Sequence, residues 1–340
     1  MSDPFTRNLA GARTITALSN WQGAYICGQA GASCEHSTGP PMTRFSAASK
    51  FAFLFGVSLV AGWRPLADTF NLSLSNEEYT HILLILPVVV ALIALDRHIL
   101  RSQPETGFQG GIALFMASAA IATLVRWGPG FHPDVQLSLA MLALVLWWVG
   151  AFVFCFGSQV SRSLLFPLCF LLWLVPFPTF ILDWIIRLLQ QGSAFTARLL
   201  FESLGVPVSQ DGLFLSVPGV TLEVAKECSS IRSSLILIVT TMVMAQLCLR
   251  SPWRKALVIA AAVPLSVAKN GLRIFTIAML GTRVDPGYLT GRFHHHGGSV
   301  FLLAALMVVF VLLWILRRGE DQASIAARFG SVGPLESTHD

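Results

Sequence analysis

Apolar residues along this chain come in long uninterrupted runs rather than in narrow stripes. Runs near 20 residues, about the length that crosses a hydrocarbon core, occupy approximately 47–67, 80–97, 109–127, 135–157, 163–180, 229–249, 255–280 and 297–316. The pattern predicts an all-α polytopic membrane protein with about eight transmembrane helices. Short loops separate most of the runs, so their Lys and Arg residues set the orientation by the positive-inside rule. With the N-terminus cytoplasmic, Arg97, Arg101, Arg162, Arg250, Arg254, Lys255, Arg317 and Arg318 share the cytoplasmic side, against Arg64, Arg126, Arg283 and Arg292 opposite. Both termini are then expected in the cytoplasm.

Two stretches depart from the pattern. In 181–203, after Pro176 and Pro178, the polar residues Asp183, Arg187, Gln190, Gln191, Arg198 and Glu202 recur near helical spacing among Leu, Ile, Trp and Phe. That periodicity reads as an amphipathic helix on the outer interface, or as a polar-striped helix packed inside the bundle. In 205–227, the dipeptides Asp211-Gly212 and Pro218-Gly219 are turn signals around two strand-like segments, Leu213–Val217 and Val220–Val224. A small outer-face β-element is expected there. Residues 1–46 are polar and carry no helical stripe, so they are expected as a disordered cytoplasmic tail, with Met42 an alternative start. The transmembrane domain is then 47–318, and 319–340 a second cytoplasmic tail.

Composition narrows the class. Of 340 residues 54% are hydrophobic and only 12% charged, where a soluble domain carries about a quarter charged. The net charge of +5 is dispersed, which argues against nucleic acid as a partner and leaves membrane lipids as the surroundings. Among the six cysteines, Cys155, Cys169 and Cys248 sit in apolar runs as small hydrophobes. Neither they nor Cys27 and Cys34 have the spacing of a zinc site or a disulfide framework. No cofactor is expected. A transporter-like protein would be expected to show inverted repeats, and none is read.

The chemistry concentrates where polar segments meet apolar runs. Glu227-Cys228-Ser229-Ser230-Ile231-Arg232-Ser233-Ser234 opens the sixth run, placing Cys228 at a helix start. The free N–H groups and the dipole there favour the thiolate, the nucleophilic form of cysteine, and Arg232 lies one turn on. The seventh run contains Asn270-Gly271-Leu272-Arg273, and His294-His295-His296-Gly297-Gly298 precedes the eighth. An ionisable residue inside an apolar run is a functional candidate by default. Arg273 lies roughly 27 Å along its helix from Lys255 at 1.5 Å per residue, near the outer edge of the bilayer core. Topology alone thus brings Cys228, Arg273 and the histidines to one depth. Cys228 reads as a nucleophile, Arg273 as oxyanion stabiliser and a histidine as general base. Asn270, at i−3, is placed to orient the guanidinium. Glu227 is placed to orient the histidine, or belongs to a solvated face. A metal on the triple histidine is disfavoured, since no carboxylate or Cys stands near it in sequence. His81 reads as half of an interfacial Tyr79/His81 pair.

These three motifs in this order, E-C-S-S-I-R-S-S, N-x-x-R and H-x-x-x-G, resemble the exosortase/archaeosortase family over roughly residues 50–316. Ser230 departs from the family's usual C-S-G. The resemblance selects His294 among the three histidines, because Gly298 then stands at the four-residue offset. It implies a cysteine transpeptidase-like membrane protease. The expected partners are exported proteins with a C-terminal sorting signal of the PEP-CTERM kind, made of a short motif, an apolar helix and a basic tail. It further implies a thioester acyl-enzyme at the outer face of a bacterial inner membrane. A plain cysteine hydrolase, with water as acceptor, is the alternative within the same chemistry.

Overall fold

The computed structural model describes residues 42–101, 108–128, 130–224, 231–285 and 298–330. Glu227, Cys228 and His294–His296 lie outside the described residues, as do most of the N-terminal tail and residues 331–340. Among the described residues six helical segments are long and apolar enough to cross a membrane: Glu77–Leu95, Gln109–Trp127, Pro133–Ser163, Ile231–Cys248, Pro252–Arg283 and Gly298–Gln322. A bent pair, Leu165–Leu174 with Thr179–Ser203, makes up to seven, and Ala47–Ala61 is a shorter apolar helix. The chain is an all-α multi-pass membrane protein with a small sheet.

The difference from eight straight spans lies at glycine and proline. The first apolar run is divided at Gly62 into α1 (Met42–Ala61) and α2 (Trp63–Ser75). Pro65 falls in the first turn of α2, where a missing N–H costs nothing. After α3 (Ile82–Leu95), α4 (Phe108–Trp127) and α5 (Pro133–Ser163), the fifth run becomes a six-residue α6 (Leu165–Phe170) and a 3-10 turn, Leu171–Leu174. Pro176 and Pro178 then forbid continuation. The chain turns by 98° into α7 (Thr179–Ser203). That corner is pinned by α5: Ser138 Oγ donates to the Pro176 carbonyl at 2.7 Å. Asp134 Oδ2 accepts from the N–H and Oγ1 of Thr179 at 2.7 and 2.6 Å. Pro178 at the N-cap has no side chain for this task, so a carboxylate from another helix caps α7. The expected end of the fourth run at 157 coincides with a kink at Gly157 (φ 84), a conformation open to glycine.

The expected β-element is present, with one more strand than the turn signals suggested. β1 (Ser209–Asp211), β2 (Phe214–Val217) and β3 (Val220–Glu223) form an antiparallel sheet in that order. Gly212 and Gly219 occupy the turns at φ 58 and 93. The inward residue Leu215 packs with Ala194, Ala197, Val224 and Ile274, and Val217 joins Phe201 and Ala278. The sheet is thereby seated on α7 and on α9 (Pro252–Arg283). α9 is the hub of the C-terminal half: it packs on α7, on α8 (Ile231–Cys248) and on α10 (Gly298–Gly330). Leu237, Ala245, Val258, Ala305 and Val309 fill the space between the last three.

The polar positions of α7 divide: Gln190 is buried, whereas Arg187, Gln191, Arg198 and Glu202 are exposed. The helix's stripe Leu182, Ile186, Gln190, Ser193, Ala194, Ala197 and Phe201 is buried against the bundle. Its other face exposes Phe180, Trp184, Leu188, Phe195 and Leu199.

Candidate functional site

The segment carrying Cys228 is held at both of its described ends. Upstream, Gln190 of α7 is buried, and its Nε2 donates to the carbonyl of Val224 at 2.7 Å. An amide with no partner there would carry the full cost of desolvation, so the bond fixes the height at which the sheet releases the chain. Downstream, α8 begins at Ile231, itself buried.

Three consecutive residues of α9 attach it to its neighbours. Lys269, 5% exposed, donates through Nζ to the hydroxyl of Ser233 on the first turn of α8. Asn270, 1% exposed, donates to Ser193 Oγ of α7 at 3.0 Å. Gly271 lies so near α7 that a Cβ there would stand 2.5 Å from the Thr196 Cβ. One turn further along, Arg273 is 6% exposed within the bundle. A Cβ placed on Gly298, the first residue of α10, would lie 3.9 Å from its guanidinium carbon. The first turns of α8 and α10 therefore reach α9 at 269 and 273, separated by about 6 Å of helical rise. These are the two helices that follow the cysteine and histidine motifs. Of the residues singled out from sequence, the structure brings Arg273 and Gly298 together and directs Asn270 toward α7.

Arg232 points elsewhere. Its side chain is half exposed and lines a cleft of about 690 Å³ with Asn76, Glu77, Tyr79, Asp134 and Asp183 among others. Its Nη1 stands 3.9 Å from Glu77 Oε1, a wide and exposed pairing that contributes little to stability. Tyr79 closes the cleft floor by donating to the Phe177 carbonyl at 2.9 Å. Tyr79 and His81, expected as an interfacial pair, are both enclosed by protein: Tyr79 is 5% and His81 1% exposed, the imidazole edge-on to Trp173.

Sequence reasoning passed over Lys269 and Gln190 as site residues. Lys269 satisfied the criterion used for Arg273, an ionisable residue inside an apolar run, and stands one helical turn before it. Gln190 was visible only as one polar position of a stripe; its target, a strand-end carbonyl, requires the fold. Ser193 and Ser233, as single serines, carried no signal of their own.

A family model described as transmembrane exosortase matches residues 73–311. No curated protein and no solved structure matches the chain.

Proposed function

The chain belongs to the transmembrane exosortase family, and on that premise we propose that it is a cysteine protease/transpeptidase acting on the C-terminal sorting signals of exported proteins. The observation that carries the proposal is the buried Arg273 of α9, beside the start of α10 and one turn from the point where α8 meets α9. A guanidinium enclosed in a membrane bundle is costly. Its place between the helix that follows the cysteine motif and the helix that follows the histidine motif suits an oxyanion-stabilising role.

In the proposed reaction the Cys228 thiol gives its proton to His294 and the sulfur attacks the scissile carbonyl. The Arg273 guanidinium stabilises the tetrahedral oxyanion. Collapse breaks the C–N bond, and His294 returns the proton to the leaving amine. The thioester passes its acyl group to an acceptor nucleophile, whose proton His294 takes in turn. Glu227 and Arg232 support the histidine and the thiolate. The proposed location is a bacterial inner membrane with the site on the extracytoplasmic face. Support for that orientation comes from the opposite end of α9. There Glu320 accepts the N–H groups of Arg250 and Ser251 at 3.0 and 2.9 Å, and Arg254 donates to the Leu316 carbonyl at 2.6 Å. This gathers the expected cytoplasmic cations at the end remote from Arg273.

The test is product analysis with the membrane-embedded enzyme and a tagged substrate ending in a short motif, an apolar helix and a basic tail. The expected result is an acyl adduct on Cys228, labile to neutral hydroxylamine, and a product joined to an amine or hydroxyl acceptor. A free C-terminal acid as sole product would make the enzyme a hydrolase. Cleavage with no adduct in any variant would overturn the thioester route.

A further inference from the structure

Lys269 is not used by the mechanism above, yet it is as enclosed as Arg273, the other cation on that face of α9. It lies inside a 32-residue apolar helix, where an ammonium is poorly tolerated unless something requires it. Its Nζ donates to Ser233 Oγ, and a neutral side chain at 269 would satisfy that hydroxyl at a smaller desolvation cost. The neighbouring contacts explain what a long, charged anchor adds. Asn270 and Gly271 lock α9 to α7 through Ser193 and Thr196, and Lys269 reaches the other way, to Ser233 of α8. Ser233 sits two residues into α8 and five after Cys228.

We propose that Lys269 is a positioning residue of the acyl-transfer site: through Ser233 it holds the first turn of α8, the helix that follows the Cys228 motif in the chain, on α9 one turn before Arg273. The assignment rests on the reading of Cys228 as the nucleophile. α7 then acts as the common reference, since its Gln190 sets the upstream end of the same segment through Val224 while its Ser193 sets α9. Lys269 closes this frame on the downstream side. Misplacing a nucleophile by about 1 Å lowers the rate of the chemical step by around 100-fold, whereas substrate docking elsewhere is spared. The signature is therefore a loss in kcat without a matching rise in KM.

The experiment measures kcat and KM for substrate processing in membranes from cells expressing the full chain. Lys269→Met keeps the side-chain volume and removes the donor; Ser233→Ala removes the acceptor. Each is expected to lower kcat at least tenfold with KM within twofold. The double variant is expected to be no worse than the poorer single one, because both changes break the same link. Ser233→Thr, which keeps the hydroxyl, is expected to restore most of kcat. If Lys269→Met fails to accumulate, Ser233→Ala and Ser233→Thr decide the matter, since an alanine is well tolerated at a helical position. Wild-type kcat in Ser233→Ala, or losses that multiply in the double variant, overturns the assignment. Cys228→Ala run alongside separates the two levels. Processing by Cys228→Ala removes the underlying reading and this inference with it. A dead Cys228→Ala beside a fully active Lys269→Met removes only the role of Lys269.

Discussion

Arg273 is enclosed to 6% exposure, and a planar guanidinium presents two parallel donors where an ammonium presents a point charge. Arg273→Lys is therefore expected to insert and accumulate normally yet lose activity by about 100-fold, the scale seen when an oxyanion donor is removed. Near-native turnover of the lysine variant would show that charge alone suffices there. The histidines divide by register. Consecutive residues of a helix project about 100° apart, so three adjacent helical positions cannot all face one thiol. Single alanine substitutions are expected to abolish processing at His294 and to leave it at His295 and His296; a dead His295→Ala or His296→Ala would move the register. Arg273 and Asn270 stood out in the sequence because ionisable and amide groups inside apolar runs are conspicuous, and Gly298 only as part of the H-x-x-x-G motif. Lys269 stood out equally, but its meaning depends on Ser233, which lies 36 positions away and reveals itself only in the packed bundle.

Elements were legible in proportion to how completely hydropathy dictates them. The runs at 109–127 and 229–249 reappear as α4 and α8 within a residue or two, and the paired turn signals yielded the strands β2 and β3. The fifth run failed as a straight span because hydropathy does not register what Pro176 and Pro178 do to the backbone, and the chain bends by 98° there. Nor does hydropathy say which face of α7 turns inward, since its lipid-sized aromatics and its packing alanines are both apolar. A close helix contact follows from that face: α7 crosses α9 where Gly271 meets Thr196 and Gly192 meets Val267, with added Cβ atoms at 2.5 and 2.9 Å. Gly271→Ala is expected to force the helices apart and to cost about 1–3 kcal/mol, as overpacking does, lowering the melting temperature of the detergent-purified protein. Gly298→Ala, whose Cβ would meet Arg273 at an ordinary 3.9 Å, is expected to melt like the wild type. Equal melting temperatures for the two variants would contradict the α7–α9 crossing.

At the scale of the molecule, the described helices α8, α9 and α10 carry different contacts at their two ends. One end gathers Arg250, Ser251 and Arg254 of the α8–α9 connection and α9 with Leu316 and Glu320 of α10. The carboxylate there caps the start of α9, complementing its dipole. Toward the other end the buried Lys269 and Arg273 meet the first turns of α8 and α10. That Arg250, Arg254 and the end of the eighth run share one end was legible from the alternation of spans and loops, because an α-helical membrane chain has few ways to thread a bilayer. What topology could not supply was the lateral arrangement, namely that α9 stands between α7, α8 and α10. The account places a reactive thiol at the end opposite the cations, and one measurement tests it most directly. Intact cells expressing the full chain and an exported substrate are treated with a membrane-impermeant maleimide, and substrate processing and Cys228 labelling are followed together in wild type and Cys228→Ala. The expected result is labelling of Cys228 that stops processing, with both absent in Cys228→Ala. Normal processing by Cys228→Ala would contradict the account.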